Sequence, residues 1–216
     1  MILAIYGAGA TGREFFQCAE EEGKWERIVF IDDKAFGKEV LGCPVYEMRE
    51  FIKVFPAAEA GVRFLVAMGE PSYRREAFER MKRAGYTGAV VIHPEARTFR
   101  DTLIGEGSIL FPDVYMGSLA RVGRNFYAAL GASIGHDSVI GDHIQIGAHA
   151  FIGGHTVIGD GAYIGSRAVL KDRINIGSES VVALGSVVFS DVGERSTVIG
   201  NPARVMDDDR SANVYA

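Results

Sequence analysis

Four of the five histidines fall between positions 136 and 155, at His136, His143, His149 and His155. His136 is followed directly by Asp137, in Ile134-Gly135-His136-Asp137-Ser138-Val139. A neutral imidazole accepts a proton, and a neighbouring carboxylate fixes its tautomer and favours its charged form. The pair therefore suits general-base catalysis; the plain alternative is a solvated turn histidine. A second chemical signal is Gly7-Ala8-Gly9-Ala10-Thr11-Gly12, with Asp32-Asp33 twenty residues beyond Gly12. Glycines let a backbone approach a phosphate, a helix N-terminus favours negative charge, and a carboxylate at a strand end can hold ribose or base groups.

The elements that must position the histidines are read from a period of six. From Ile104 to Val188 every sixth residue is apolar, fifteen in succession. At 48% apolar residues chance gives such a run with odds of roughly one in 10⁵, so the repeat is real. Gly follows in ten of the fifteen units, and the fourth residue after each apolar position is small or apolar. A period of six fits neither a helix nor one long strand; it is the mark of a parallel β-helix. Three units close an 18-residue triangular coil, with the apolar residue pointing inward and the glycine supplying the angles of the bend. Five coils stand about 24 Å tall.

Residues 18 apart then share a corner, and residues six apart do not. Asp137 stacks on His155, and His136 on Gly154, whose missing side chain leaves room for a substrate. His155 reads as an exposed partner of Asp137, or as a second functional group. His143, His149 and His155 lie on successive corners, so they form no metal cluster within one chain, and no metal is expected.

Ahead of the coils, Met1–Tyr6 reads as a strand, a helix follows to about Gly23, and Arg27–Ile31 is a second strand. Cys43–Phe55 reads as turn then helix, Val62–Met68 as a strand ending in Gly69, Tyr73–Ala84 as a helix, and Tyr86–Ile92 as a fourth strand. His93-Pro94 marks a boundary, with His93 a hydrogen-bonded structural group and residues 94–103 crossing into the coils. The expected domains are 1–93 and 94–206, with a frayed tail over 207–216. A full dinucleotide site needs two strand–helix–strand halves, for which the first domain is too short.

The net charge of −5 argues against nucleic acid or an anionic membrane as partner. Two cysteines, Cys18 and Cys43, give no metal or disulfide framework, and Cys18 reads as a small core residue. No signal peptide and no membrane-length apolar run is visible. The expectation is a cytoplasmic protein.

The order of Tyr6-Gly7-Ala8-Gly9, Ile31-Asp32-Asp33, Ala67-Met68-Gly69, the hexapeptides, Gly135-His136-Asp137 and Gly200-Asn201-Pro202-Ala203 resembles one bacterial family. These are the sugar acyltransferases of the left-handed β-helix class, in the branch with sialic-acid O-acetyltransferases and UDP-4-amino-sugar N-acetyltransferases. The resemblance implies a Rossmann-like α/β domain joined to an all-β left-handed helix. It implies a homotrimer that moves an acyl group, usually acetyl, from coenzyme A to a nucleotide-linked or free sugar. His136 would be the base, and Asp137, in place of a usual Glu, would orient it. Gly154, Ser166 and Leu184 match coenzyme A contacts, and Gln145 stands where relatives often carry a donor-contacting His. Gly9, Thr11, Gly12, Asp32, Asp33 and Gly69 match the nucleotide-sugar region, with Thr11 replacing a common His. Two other classes compete: a trimeric sugar-binding protein without turnover, and an NAD-dependent oxidoreductase built on the Gly motif.

Overall fold

The computed structural model describes residues 1–57 and 61–206; the tail expected over 207–216 lies outside the described residues. The chain divides into two compact units, Met1–Pro94 with Glu106–Ile109, and Glu95–Gly105 with Leu110–Ala216. Among the described residues no helix is long and apolar enough to cross a membrane.

The first unit is a Rossmann-like α/β fold. Its elements are β1 (Ile2–Tyr6), α1 (Ala10–Glu22), β2 (Arg27–Ile31), β3 (Glu39–Val40), β4 (Cys43–Tyr46), α2 (Met48–Val54), β5 (Val62–Val66), α3 (Pro71–Arg83), β6 (Thr87–Gly88) and β7 (Val90–Ile92). Six strands form one sheet in the order β3-β4-β2-β1-β5-β6. β1 is central and parallel to β2 and β5. Its near-continuous apolar run is what a strand covered on both faces requires. Tyr6 and Ala4 lie in one cluster with Met48, Phe51, Phe78 and Met81 of α2 and α3. α1 buries Phe15, Phe16, Cys18 and Ala19, and Phe16 stacks on Phe30 of β2. A side chain as fully buried as Phe15 contributes roughly 1.5–3 kcal/mol. Gly23 ends α1 in the left-handed region, its N–H donating to the Ala19 and Glu20 carbonyls.

Two expectations change here. Cys43–Tyr46, expected as a turn, is a strand parallel to β2, reached through the hairpin from β3; Val45 enters the core and offsets the weak strand tendency of Pro44. Tyr86–Ile92 is two strands, not one. Glu106 takes the Gly88 N–H where a strand partner would, and only β6 stays on the sheet.

The second unit is a parallel β-helix. Strands of two residues pair in parallel with strands 18 positions away, as in Tyr115↔Ser133↔Phe151 and Arg121↔Val139↔Val157. Of the fifteen period-six residues from Ile104 to Val188, all but Ile104 are at most 5% exposed, and all fifteen residues of the second row, Ser108 to Val192, are at most 7% exposed. Two inward rows, not one, therefore fill each coil. Coiling starts earlier than expected. Arg97–Thr98 already pairs with Tyr115–Met116, because backbone pairing, with Arg97 N–H donating to Val114 O, does not need an apolar side chain at Thr98.

The glycines of the repeat have a different role from the expected one. None of the ten, Gly105 to Gly177, has positive φ. A Cβ on Gly135 would stand 2.5 Å from the Gly154 nitrogen, and one on Gly165 would stand 2.5 Å from the Leu184 nitrogen. They are required because the next coil's backbone passes too close. The left-handed angles of the bend fall two residues later, on Leu119, Asn125, Asp137, His143, His149, His155, Arg167, Arg173 and Glu179 among others.

Candidate active site

One corner of the coils carries the exposed titratable cluster. His136 Nδ1 lies 2.8 Å from Asp137 Oδ2. A neutral imidazole that donates from Nδ1 keeps its lone pair on Nε2, where a base needs it. Asp137 is placed by its left-handed backbone (φ +58°) and by its N–H, which donates to Ser118 O. One coil on, His155 N–H donates to His136 O at 2.9 Å, so the two corners are in fixed register. The His155 ring meets the His136 ring edge-on, with centroids 5.0 Å apart, and its Nε2 is 3.9 Å from Asp137 Oδ2. All three side chains are accessible, His136 most of all at 61%.

The expected stacking of His136 on Gly154 is present, with a correction. A Cβ on Gly154 would stand 2.8 Å from His136 Nε2. The space above Gly154 is therefore filled by the imidazole itself, and is not left open for substrate. Ser166 and Leu184 share a different corner, where Gly185 N–H donates to Ser166 O, and Leu184 is 78% exposed. Gln145 joins neither corner. It is buried in a face between Tyr127 and Tyr163.

The other histidines separate by their partners. His143 is not an outward turn group: it is buried, with Nδ1 3.0 Å from Asn125 Nδ2. His149 packs beside Gly131. His93 is buried in the first unit, paired with Glu21 at 2.8 Å.

In the first unit the glycine loop follows β1 and Ala67-Met68-Gly69 follows β5. β1 and β5 are adjacent, and β2 lies on the other side of β1, so the strand order reverses between β1 and β5, the switch point at which such sheets hold ligands. The six residues expected there divide. Gly7 has φ +114°, and its Cβ would stand 2.6 Å from Ala67 O; Gly12 is buried against the Gly7 carbonyl; Gly9 faces open space. Gly12 is thus a packing residue, while Gly9 opens α1 with no side-chain cap. Thr11 and Gly69 are half-buried. The Asp32 carboxylate already accepts the N–H groups of Ala8, Lys34 and Ala35. It holds the glycine loop in shape rather than reaching out.

Asp33 accepts from Met48 N–H and from Arg80. Burial would push its carboxyl up, but these two donors outweigh burial and hold it below the usual range. Arg80 also donates to the Tyr6 hydroxyl at 2.7 Å; burial and then Asp33 push that phenol up. The sequence reading had Tyr6 only as part of the glycine motif and missed its contact with Arg80, 74 residues away with no motif linking the two. Burial, followed by Glu22 and Glu21, pushes the Cys18 thiol to about 12, so it is an inert core group.

A Rossmann-like unit and a hexapeptide β-helix with an exposed His–Asp pair define a class, and comparisons with known proteins agree. Residues 2–81 match the family model described as the PglD N-terminal domain. A GDP-perosamine N-acetyltransferase of Escherichia coli O157:H7 is 34% identical over 148 residues, 66% of each chain. The chain thus spans about two thirds of that relative's length. Among solved structures, the acetyltransferase domain of PglB from Neisseria gonorrhoeae FA1090, in complex with acetyl coenzyme A, is 28% identical with a TM-score of 0.89. It matches over 95% of this chain and 98% of its own. WeeI from Acinetobacter baumannii AYE is 30% identical with a TM-score of 0.86, over 95% and 100%. The chain belongs to the bacterial sugar acyltransferases of the left-handed β-helix class.

Proposed function

We propose that this protein transfers the acetyl group of acetyl coenzyme A to the amine of a nucleotide-linked amino sugar, with His136 as general base. The observation that carries the reading is the exposed His136–Asp137 pair, with Nδ1 held by the carboxylate and Nε2 lying over Gly154. The sugar nitrogen attacks the thioester carbonyl, Nε2 takes the proton that the nitrogen loses, the C–N bond forms, and the C–S bond breaks. The sulfur leaves with a proton as the coenzyme thiol. Asp137 holds the Nδ1–H and stabilises the imidazolium that forms. Because the thioester is already activated, proximity and a base suffice.

The GDP-perosamine N-acetyltransferase relative supports an amine acceptor and a nucleotide carrier, and the acetyl coenzyme A complex supports the donor. Gly154, Ser166 and Leu184 are assigned to coenzyme A. They lie on two corners, so the donor sits between two subunits of a homotrimer; Gln145, buried in its face, is left out of this assignment. Exposed Tyr115, Phe151 and Val169, on the face joining those corners, and Val139 and Val157 beyond support such an assembly. Gly9, Thr11, Gly69 and Asp33 are assigned to the nucleotide sugar, with Gly12 and Asp32 shaping the loop. Both co-substrates belong to the cytoplasm, where the activity is placed.

The test is acetyl transfer from acetyl coenzyme A to GDP- and UDP-linked 4-amino sugars, with free sialic acid as hydroxyl acceptor. An acetylated amino sugar is expected, with turnover about 10²–10⁴-fold lower in His136→Ala. Acetylation of the hydroxyl acceptor alone removes the amine reading, and unchanged turnover in His136→Ala removes the base.

A further inference from the structure

The His136 corner offers more than a base. One ligand atom from each of His136, Asp137 and His155 lies within 4.8 Å of the other two, and Asp137 Oδ2 is 2.8 Å from His136 Nδ1 and 3.9 Å from His155 Nε2. This is not the His143, His149 and His155 set, which the coil geometry keeps on separate corners. We propose that His136, Asp137 and His155 bind a divalent transition-metal ion of the zinc class, and that the bound ion switches the base off.

Two imidazole nitrogens and one carboxylate oxygen are a donor set for zinc and its neighbours, and a poor one for magnesium. Bond lengths of about 2.0–2.1 Å put neighbouring tetrahedral ligands about 3.3 Å apart. The Nδ1–Oδ2 distance of 2.8 Å has to open by about half an ångström, and the Nε2–Oδ2 distance of 3.9 Å has to close by slightly more. Rotation of three accessible side chains does both. The backbone beneath them is already set, since His155 N–H donates to His136 O and both Asp137 and His155 hold left-handed angles. A three-ligand site of this kind leaves a fourth position for water.

The consequence for the base follows from the tautomer. His136 as a base carries its proton on Nδ1, toward Asp137, and its lone pair on Nε2. A metal on Nδ1 needs the Nδ1 lone pair. The Nδ1 proton goes to solvent and Nε2 takes one up, so the neutral ring keeps one proton, now on Nε2. Nε2 becomes an N–H donor and cannot accept a proton from the sugar. Inhibition therefore comes from proton placement as well as from occupancy.

This consequence rests on the proposed function; the metal site does not. The experiment is a titration of the full-length protein with Zn²⁺ by calorimetry and with Co²⁺ by visible absorption, with Mg²⁺ as the hard-ion control. One ion per chain is expected for Zn²⁺, with a tetrahedral Co²⁺ band and no binding of Mg²⁺ in the same range. His155→Ala is expected to weaken Zn²⁺ binding by about tenfold or more, since losing even an outer partner of a ligand costs about 10–100-fold. Absence of Zn²⁺ binding, or equal binding by His155→Ala, overturns the site. In parallel, acetyl transfer is measured against free Zn²⁺. Reversible inhibition that moves to about tenfold higher Zn²⁺ in His155→Ala supports the switch, and full turnover in the zinc-loaded protein overturns it. A protein that binds Zn²⁺ yet acetylates no sugar leaves the metal site standing and removes the functional reading.

Discussion

Two corners of the same coils hold an imidazole or a carboxylate at equivalent heights, and they use them in opposite ways. At the corner of Asp142 and Asp160 every charge is answered within the chain. Asp142 accepts from the Arg124 backbone and guanidinium, and Asp160 accepts the Asp142 N–H. His143, next to Asp142, is buried on Asn125. At the corner of His136 the side-chain partners among the described residues are the neighbours Asp137 and His155, and the imidazole remains largely exposed. The coil backbone is the same at both. A repeat fold supplies the same scaffolding at each corner, and the two corners differ in how far their side chains are buried: His143 is buried against Asn125 and His136 stays in reach of solvent.

The largest expected break of this contrast is His136→Ala, which lowers turnover by about 10²–10⁴-fold and leaves the melting temperature almost unchanged. Gly154→Ala comes next. Its Cβ meets the His136 ring, a movable group, so the base is displaced and turnover falls by about 10²-fold with little loss of stability. Gly135→Ala sharpens the point, because there the added Cβ meets the Gly154 backbone, which cannot rotate away. Chemical denaturation is expected to show a loss of about 1–3 kcal/mol. At the opposite corner Asn125→Ala leaves the buried His143 without its amide partner, and stability falls by about 1–3 kcal/mol with kcat retained.

Arg124→Ala is the smallest, costing up to about 1 kcal/mol at neutral pH because the pair is half-exposed. Burial would raise the Asp142 carboxyl, but Arg124 outweighs it and lowers it. A lowered carboxyl contributes stability that is full above the unfolded-state value near about 4 and is lost as pH falls through the folded value. The difference between wild type and Arg124→Ala should therefore shrink below about pH 4, as read by melting temperature across pH. A difference that grows in acid would contradict the assignment.

Much of the β-helix is legible in the chain because its geometry is arithmetic. A step of six gives the interior row, and a step of 18 gives the vertical neighbour. The same step would have found the burial of His143, since 18 residues before it stands Asn125, whose amide can bond an imidazole. Eighteen before His149 is Gly131 and before His155 is Asp137. Reading each histidine against that neighbour distinguishes them. The first unit is less legible. Cys43–Tyr46 carries no period long enough to reveal a strand, and Asp33, Tyr6 and Arg80 meet only because three elements converge.

The sequence by itself determined which residues face inward, which share a corner, and that His136 has Asp137 beside it and Gly154 beneath it. Those are consequences of a period that the chain repeats fifteen times. Only the tertiary structure decided how groups at each position are spent. Asp32 and Gly12 fit a ligand motif but are consumed in holding the loop, and Gln145 is buried in a face. The repeat glycines answer the next coil's backbone rather than the bend. These outcomes depend on distances between strands and on side-chain rotation, which a one-dimensional period does not carry.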